Sequence, residues 1–110
     1  MENIDQKNRL VRDYTPMRLE DSGKTIRTRQ LEGQEYKETL TKKLQEVVDG
    51  YSSTKENRES LTRLADMMEV IHELTYTHGA TIEEIEHIRQ HRRKERGGFK
   101  TRTLLIEVEE

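Results

Sequence analysis

A chain of 110 residues with 30% hydrophobic and 5% aromatic side chains, one Phe and no Trp, is most naturally a single domain spanning 1–110 with a thin core, for which association with further copies is the obvious remedy. Charged side chains make up 38% but nearly cancel, to a formal net charge of −2, and the apolar residues recur at helical spacing, which excludes a disordered reading. The lack of cysteine excludes thiolate catalysis, disulfides and cysteine-based zinc sites; no run is apolar enough to span a bilayer, and MENIDQKNRL lacks the apolar core of a signal peptide, so the cytoplasm is the expected compartment.

The opening NRLVRDY reads as extended, and Thr15-Pro16 as a helix start, with Thr15 as the cap and Pro16 in the first turn where its missing N–H costs little. The short helix MRLEDS should stop at Gly23. KTIRTRQL, residues 24–31, carries β-branched and basic side chains in rough alternation and predicts a strand or extended arm.

From about Gln34 to Asp49, Tyr36, Leu40, Leu44, Val47, Val48 and Tyr51 recur at threes and fours, which predicts a first long helix closed by Gly50. After the polar turn SSTKEN, a second long helix is predicted from about Glu56 to His78, with Leu61, Leu64, Ala65, Met68, Ile71 and Leu74 on its apolar face and Met67 widening that face to roughly half the circumference. Gly79 ends it. Thr81-Ile82-Glu83-Glu84 has the spacing of a capping box and opens a third helix through Ile82, Ile85 and Ile88 to about Arg96, before Gly97-Gly98. The tail FKTRTLLIEVEE alternates near its end and reads as a short strand, with the N-terminal extended segment as its candidate partner. The predicted fold is all-α: a compact bundle of antiparallel helices, two long central ones and a third, with short extended terminal segments.

Two acidic pairs stand out. Glu46 and Asp49 on the first long helix, and Asp66 and Glu69 on the second, each place two carboxylates on adjacent turns of one face. Carboxylates beside an apolar face are costly to desolvate without a positive partner, and two such pairs on packed helices could supply the hard oxygen ligands that Mg2+ prefers. Asp49 also sits in a last helical turn, where the macrodipole disfavours an anion and a cation would relieve it. The same spacing is equally that of an ordinary solvated stripe, to which Glu59, Arg63 and Glu73 belong as well.

Charge is unevenly distributed. Residues 32–88 are acidic, whereas 89–102 contain seven basic side chains and only Glu95 as an acid. Arg89, Arg92, Arg93 and Arg96 share one helix face, with Lys100 and Arg102 after the glycines; this arrangement suits a polyphosphate, a nucleic-acid backbone or simply a solvated helix C-terminus. Without a helix-turn-helix or an aromatic stacking platform, nucleic acid is the weaker partner. His87 and His91, four residues apart, have the spacing of a transition-metal pair but no third ligand, and Ser52, Ser53 and Ser60 have no nucleophile context.

Taken together, NRLVRDYTP, KKLQEVVD, RLADMMEVIHEL, THGATIEEIEHIR and KERGGFKTRTLLIEVEE resemble, in order and over nearly the whole chain, the MazG-type all-α nucleoside triphosphate pyrophosphohydrolases, and within them the small phosphoribosyl-ATP pyrophosphohydrolase-like, house-cleaning branch. The resemblance implies a magnesium-dependent oligomer, a homodimer or homotetramer, that cleaves an NTP to monophosphate and pyrophosphate between two antiparallel helices. It implies Glu46, Asp49 and Asp66 as catalytic and metal-binding residues, with Mg2+ or Mn2+ as the ion. Glu69 could supply a further oxygen, and Arg92, Arg93, Arg96 and Lys100 would neutralise the polyphosphate. The chain departs from the pattern at Arg63, where a metal-binding glutamate is usual, at Gln45, where glutamate is common, and at Tyr14, where lysine is usual. The departure at Arg63 gives a second expectation, a catalytically silent homologue that keeps the oligomer and binds a nucleotide or a protein.

Overall fold

A computed structural model describes residues 8–109 and contains four helices among them: α1 (Thr15–Asp21), α2 (Gly33–Ser53), α3 (Asn57–Thr77) and α4 (Ile82–Arg96). The all-α expectation holds, and the two long helices and the third occupy the predicted segments.

Three local expectations are corrected. Thr15 lies inside α1; Tyr14 is the N-cap residue and makes no side-chain cap bond, so the start is set by proline in the first turn. Gly50 does not end α2, which runs one turn further to Ser53 because the helical backbone bonds continue through it. The segments expected as strands, 24–31 and the tail after Phe99, carry no strand pairing among the described residues. Alternation gives a strand its two faces but not a partner, and a chain whose long elements are all helices offers no sheet edge to pair with.

The ends of α3 and α4 follow local chemistry. Gly79 adopts φ +71°, and the Ala80 N–H reaches back to the Thr75 carbonyl at 3.3 Å, a left-handed helix stop that glycine accommodates without steric cost. At the start of α4 the Thr81 hydroxyl accepts from the Glu84 N–H at 3.1 Å, while the Glu84 carboxylate accepts from the Thr81 N–H at 3.2 Å.

Three residues, Thr54 to Glu56, join α2 to α3, a connection short enough to force antiparallel neighbours. Contacts at both ends of the pair agree: Tyr36 near the start of α2 meets Glu73 near the end of α3, and Gly50 near the end of α2 meets Arg63 near the start of α3. Leu40, Val47 and Val70 form the small buried core of this hairpin, with Leu44, Val48, Met67 and Leu74 half-buried around it. The remaining helices add little to the core. α4 packs against α3 alone among the helices, and α1 against none.

The single chain is therefore elongated, not compact. Its radius of gyration is 18.4 Å, against about 13 Å for a compact domain of this length. Leu61, Leu64, Met68 and Ile71 on α3, Ile85 and Ile88 on α4, and Phe99, Leu104, Leu105, Ile106 and Val108 in the tail are all exposed.

Candidate functional site

The antiparallel hairpin sets the turn of α2 that carries Glu46 and Asp49 across from the turn of α3 that carries Arg63 and Asp66. The fixed point is the Gly50–Arg63 contact. A Cβ on Gly50 would lie 3.1 Å from the Arg63 Cζ, 3.2 Å from Nε and 3.4 Å from Nη1, so the guanidinium lies against α2 one residue beyond Asp49. Helical spacing puts Arg63 on the stripe of α3 that faces α2, with Ser60, Met67, Val70 and Leu74. Each of these is buried or half-buried.

The acidic residues of this turn each have a neighbour in hand. Arg12, from the segment preceding α1, pairs with Asp66 at 2.7 Å, a contact between residues 54 apart in sequence. Asp49 Oδ1 accepts from Gln45 Nε2 at 3.0 Å, and Lys43 Nζ stands 3.8 Å from Glu46 Oε1. Arg63 itself is held loosely, 3.6 Å from Glu59. Glu69 is exposed and, at 100° per residue, points away from α2. Carboxylate oxygens are the donor chemistry that a hard divalent cation takes, but at 100° per residue the exposed Asp49 lies about 200° round α2 from the buried Val47, on the side away from α3 and Asp66. In the present side-chain arrangement, no three His, Asp or Glu among the described residues converge as a metal-binding group. Arg12 brings positive charge to Asp66, and Arg63 stands beside Gly50 with Glu59 as its ion-pair partner.

The basic residues are set apart from this turn. Arg92, Arg93 and Arg96 on α4 and Lys100 beyond it are exposed, and α4 does not pack against α2. Arg93 folds back over the glycine pair, its Nη1 lying 2.8 Å from where a Gly98 Cβ would be. Arg89 is paired with Glu86, whose carboxyl it holds below the usual range through a hydrogen bond and its charge. His91 faces Glu95 at 3.3 Å, and His87 lies with Glu83, Glu84 and Ile88 around a shallow depression, so the two histidines have different neighbours.

Like the Arg12–Asp66 pair, a second polar contact was not legible in the spacing. At the opposite end of the hairpin the Tyr36 hydroxyl donates to Glu73 Oε1 at 3.2 Å, within a shallow depression of about 480 Å³ lined by Gly33, Gln34, Tyr36, Lys37, Glu73, Tyr76 and Thr77. Burial raises the Tyr36 pKa above its ordinary 10.0, and the Glu73 carboxylate beside it adds to the shift. The only sequence signal was a tyrosine on the core-facing stripe, whose hydroxyl needs a partner. Comparison of the chain with protein-family models, with curated proteins and with solved structures finds no match.

Proposed function

We propose that this chain is a nucleotide pyrophosphohydrolase of the MazG type, splitting an NTP-like substrate into a monophosphate and pyrophosphate. The observation that supports it is the facing of two turns, Glu46–Asp49 on α2 and Arg63–Asp66 on α3, fixed by the Gly50–Arg63 contact. In this reading Glu46 and Asp66, with Asp49 and Glu69 on the outer faces of their helices, are the carboxylates available to Mg2+ or Mn2+. The ion, when bound, supplies neutralisation of phosphate charge and activation of water. Arg12 positions the Asp66 carboxylate, and Arg92, Arg93, Arg96 and Lys100 draw in and neutralise the polyphosphate from the surface of α4 or of a neighbouring copy.

The reading includes a homodimer or homotetramer in the cytoplasm, in which further copies complete the antiparallel bundle. Its support is the width of the apolar arc on α3. From Val70 and Leu74 round to Leu61 that arc, which also carries Arg63, covers roughly 180° of the helix, wider than the stripe that one neighbour buries. α2 covers only the side of Met67, Val70 and Leu74, leaving Leu61, Leu64, Met68 and Ile71 exposed.

A second reading, nucleotide binding without turnover, is favoured by Arg12 at Asp66 and by Arg63 beside Gly50. Pyrophosphate release with Mg2+ over normal and modified nucleoside triphosphates and phosphoribosyl-ATP separates the two. Turnover that Asp66→Asn reduces to background supports the enzyme; no turnover at high protein concentration with nucleotide binding intact leaves the silent homologue.

A further inference from the structure

We propose that the tail after α4 crosses to a second copy of this chain, where its apolar run, residues 104–108, lies on the exposed face of α3 and α4. This rests on the oligomer of the reading above and not on its chemistry; it names the surface through which copies join and makes the tail part of it.

The first observation is the amount of surface. The chain exposes 10561 Å², whereas a compact monomer of 13.1 kDa exposes about 6,400 Å². The surplus of about 4,000 Å² is of the size that an obligate homodimer buries, about 2,000–5,000 Å² in all. The second is that the exposed apolar side chains form two groups. Leu61, Leu64, Met68 and Ile71 lie within about 80° of one another round α3, and Ile85 and Ile88 continue that face on α4, which packs against α3. In the tail, Leu104, Leu105, Ile106 and Val108 are 68–85% exposed. Single exposed hydrophobes are ordinary, but contiguous groups mark surfaces that are covered in the assembled protein. The residues of α4 from His87 onward are exposed, so the tail starts beyond the part of α4 that packs on its own α3 and leaves that face bare. The third is charge. Lys100 and Arg102 lead into the apolar run, and in their own chain they follow Arg92, Arg93 and Arg96. On the first turns of α4, by contrast, Glu83 and Glu84 rim a depression beside Ile88. The basic lead of a second copy's tail meets opposite charge there, next to the apolar face that its run covers.

The chain has no cysteine, so Ile106→Cys gives a single attachment site for a benzophenone maleimide on the full chain. The labelled protein is mixed with an excess of isotopically heavy original chain, irradiated and digested. The expected cross-links join residue 106 to heavy peptides that contain residues 61–71 or 85–88, and so form between copies. Cross-links to light peptides alone, or none to that face, overturn the proposal. Sedimentation supplies a second arm: Leu104→Ser, Leu105→Ser and Ile106→Ser together should weaken self-association at least tenfold, with circular dichroism to verify helicity. Association unchanged in this variant overturns the proposal, and if the variant loses helicity the cross-links decide it. Failure of the underlying oligomer looks different. An original chain that is monomeric removes both, whereas one that associates without these cross-links removes only the exchange of tails; the pyrophosphate-release assay judges the chemistry separately.

Discussion

Tyr36 and Glu73 tie the start of α2 to the end of α3, and their contact makes the hairpin sensitive to alkali. Burial and the neighbouring carboxylate both disfavour tyrosinate in the folded chain, so its pKa there lies above 10.0. The folded state then holds a proton that the unfolded state has lost. Stability from this source is complete below pH 10 and declines as pH rises from there toward the raised folded value. We expect denaturant midpoints to fall more steeply above pH 10 for the original chain than for Tyr36→Phe, which lacks the titrating hydroxyl; parallel pH profiles would contradict this. Arg12 and Asp66 show the same dependence on distant neighbours. Asp66 was legible as one acid of a stripe, but its partner comes from outside the helices, and nothing in the local pattern at either residue announces the other.

Among the elements, α4 depends most on its own ends. Its packing against the rest of the chain is confined to α3, and its residues from His87 onward are exposed, so the Thr81–Glu84 capping box is a large part of what holds its first turn. Thr81→Ala should cost about 1 kcal/mol, read as a lowered thermal midpoint and a loss of helical ellipticity. An unchanged midpoint would show that α4 is held from elsewhere. The elements also differ in how far the sequence revealed them. The Gly79 stop and the α4 start were readable because the residues that make them are neighbours along the chain. Gly50 misled, since its conformation in α2 is ordinary and its reason is Arg63, thirteen residues later.

At the scale of the whole molecule the unresolved tension is between a small core and a large exposed apolar surface. Among the described residues Leu40, Val47 and Val70 are the buried hydrophobic ones, whereas Met68 is 60% and Leu61 58% exposed on a helix already packed on one side. The proposed oligomer turns this into a prediction. Sedimentation should give a dimer or tetramer at micromolar concentration, and Leu64→Asp or Met68→Asp should dissociate it and destabilise it by more than about 2 kcal/mol. A face that stays in water would tolerate the same substitutions within about 0.5 kcal/mol. A monomeric original chain would contradict the oligomer.

By itself the sequence determined the all-helical class, the places of α2, α3 and α4, the cap and stop around Gly79 and Thr81, and the segregation of acidic and basic charge. These depend on periodicity and on groups within a few residues of each other, so they are written locally. The tertiary structure decided that Gly50 is a seat for Arg63, that Arg12 holds Asp66, that Tyr36 meets Glu73, and that the alternating segments are unpaired. Each of these is a meeting of groups far apart in the chain, and the physical reason is common to all: a side chain's charge and shape state what partner it needs, while only the path of the backbone determines which partner it finds.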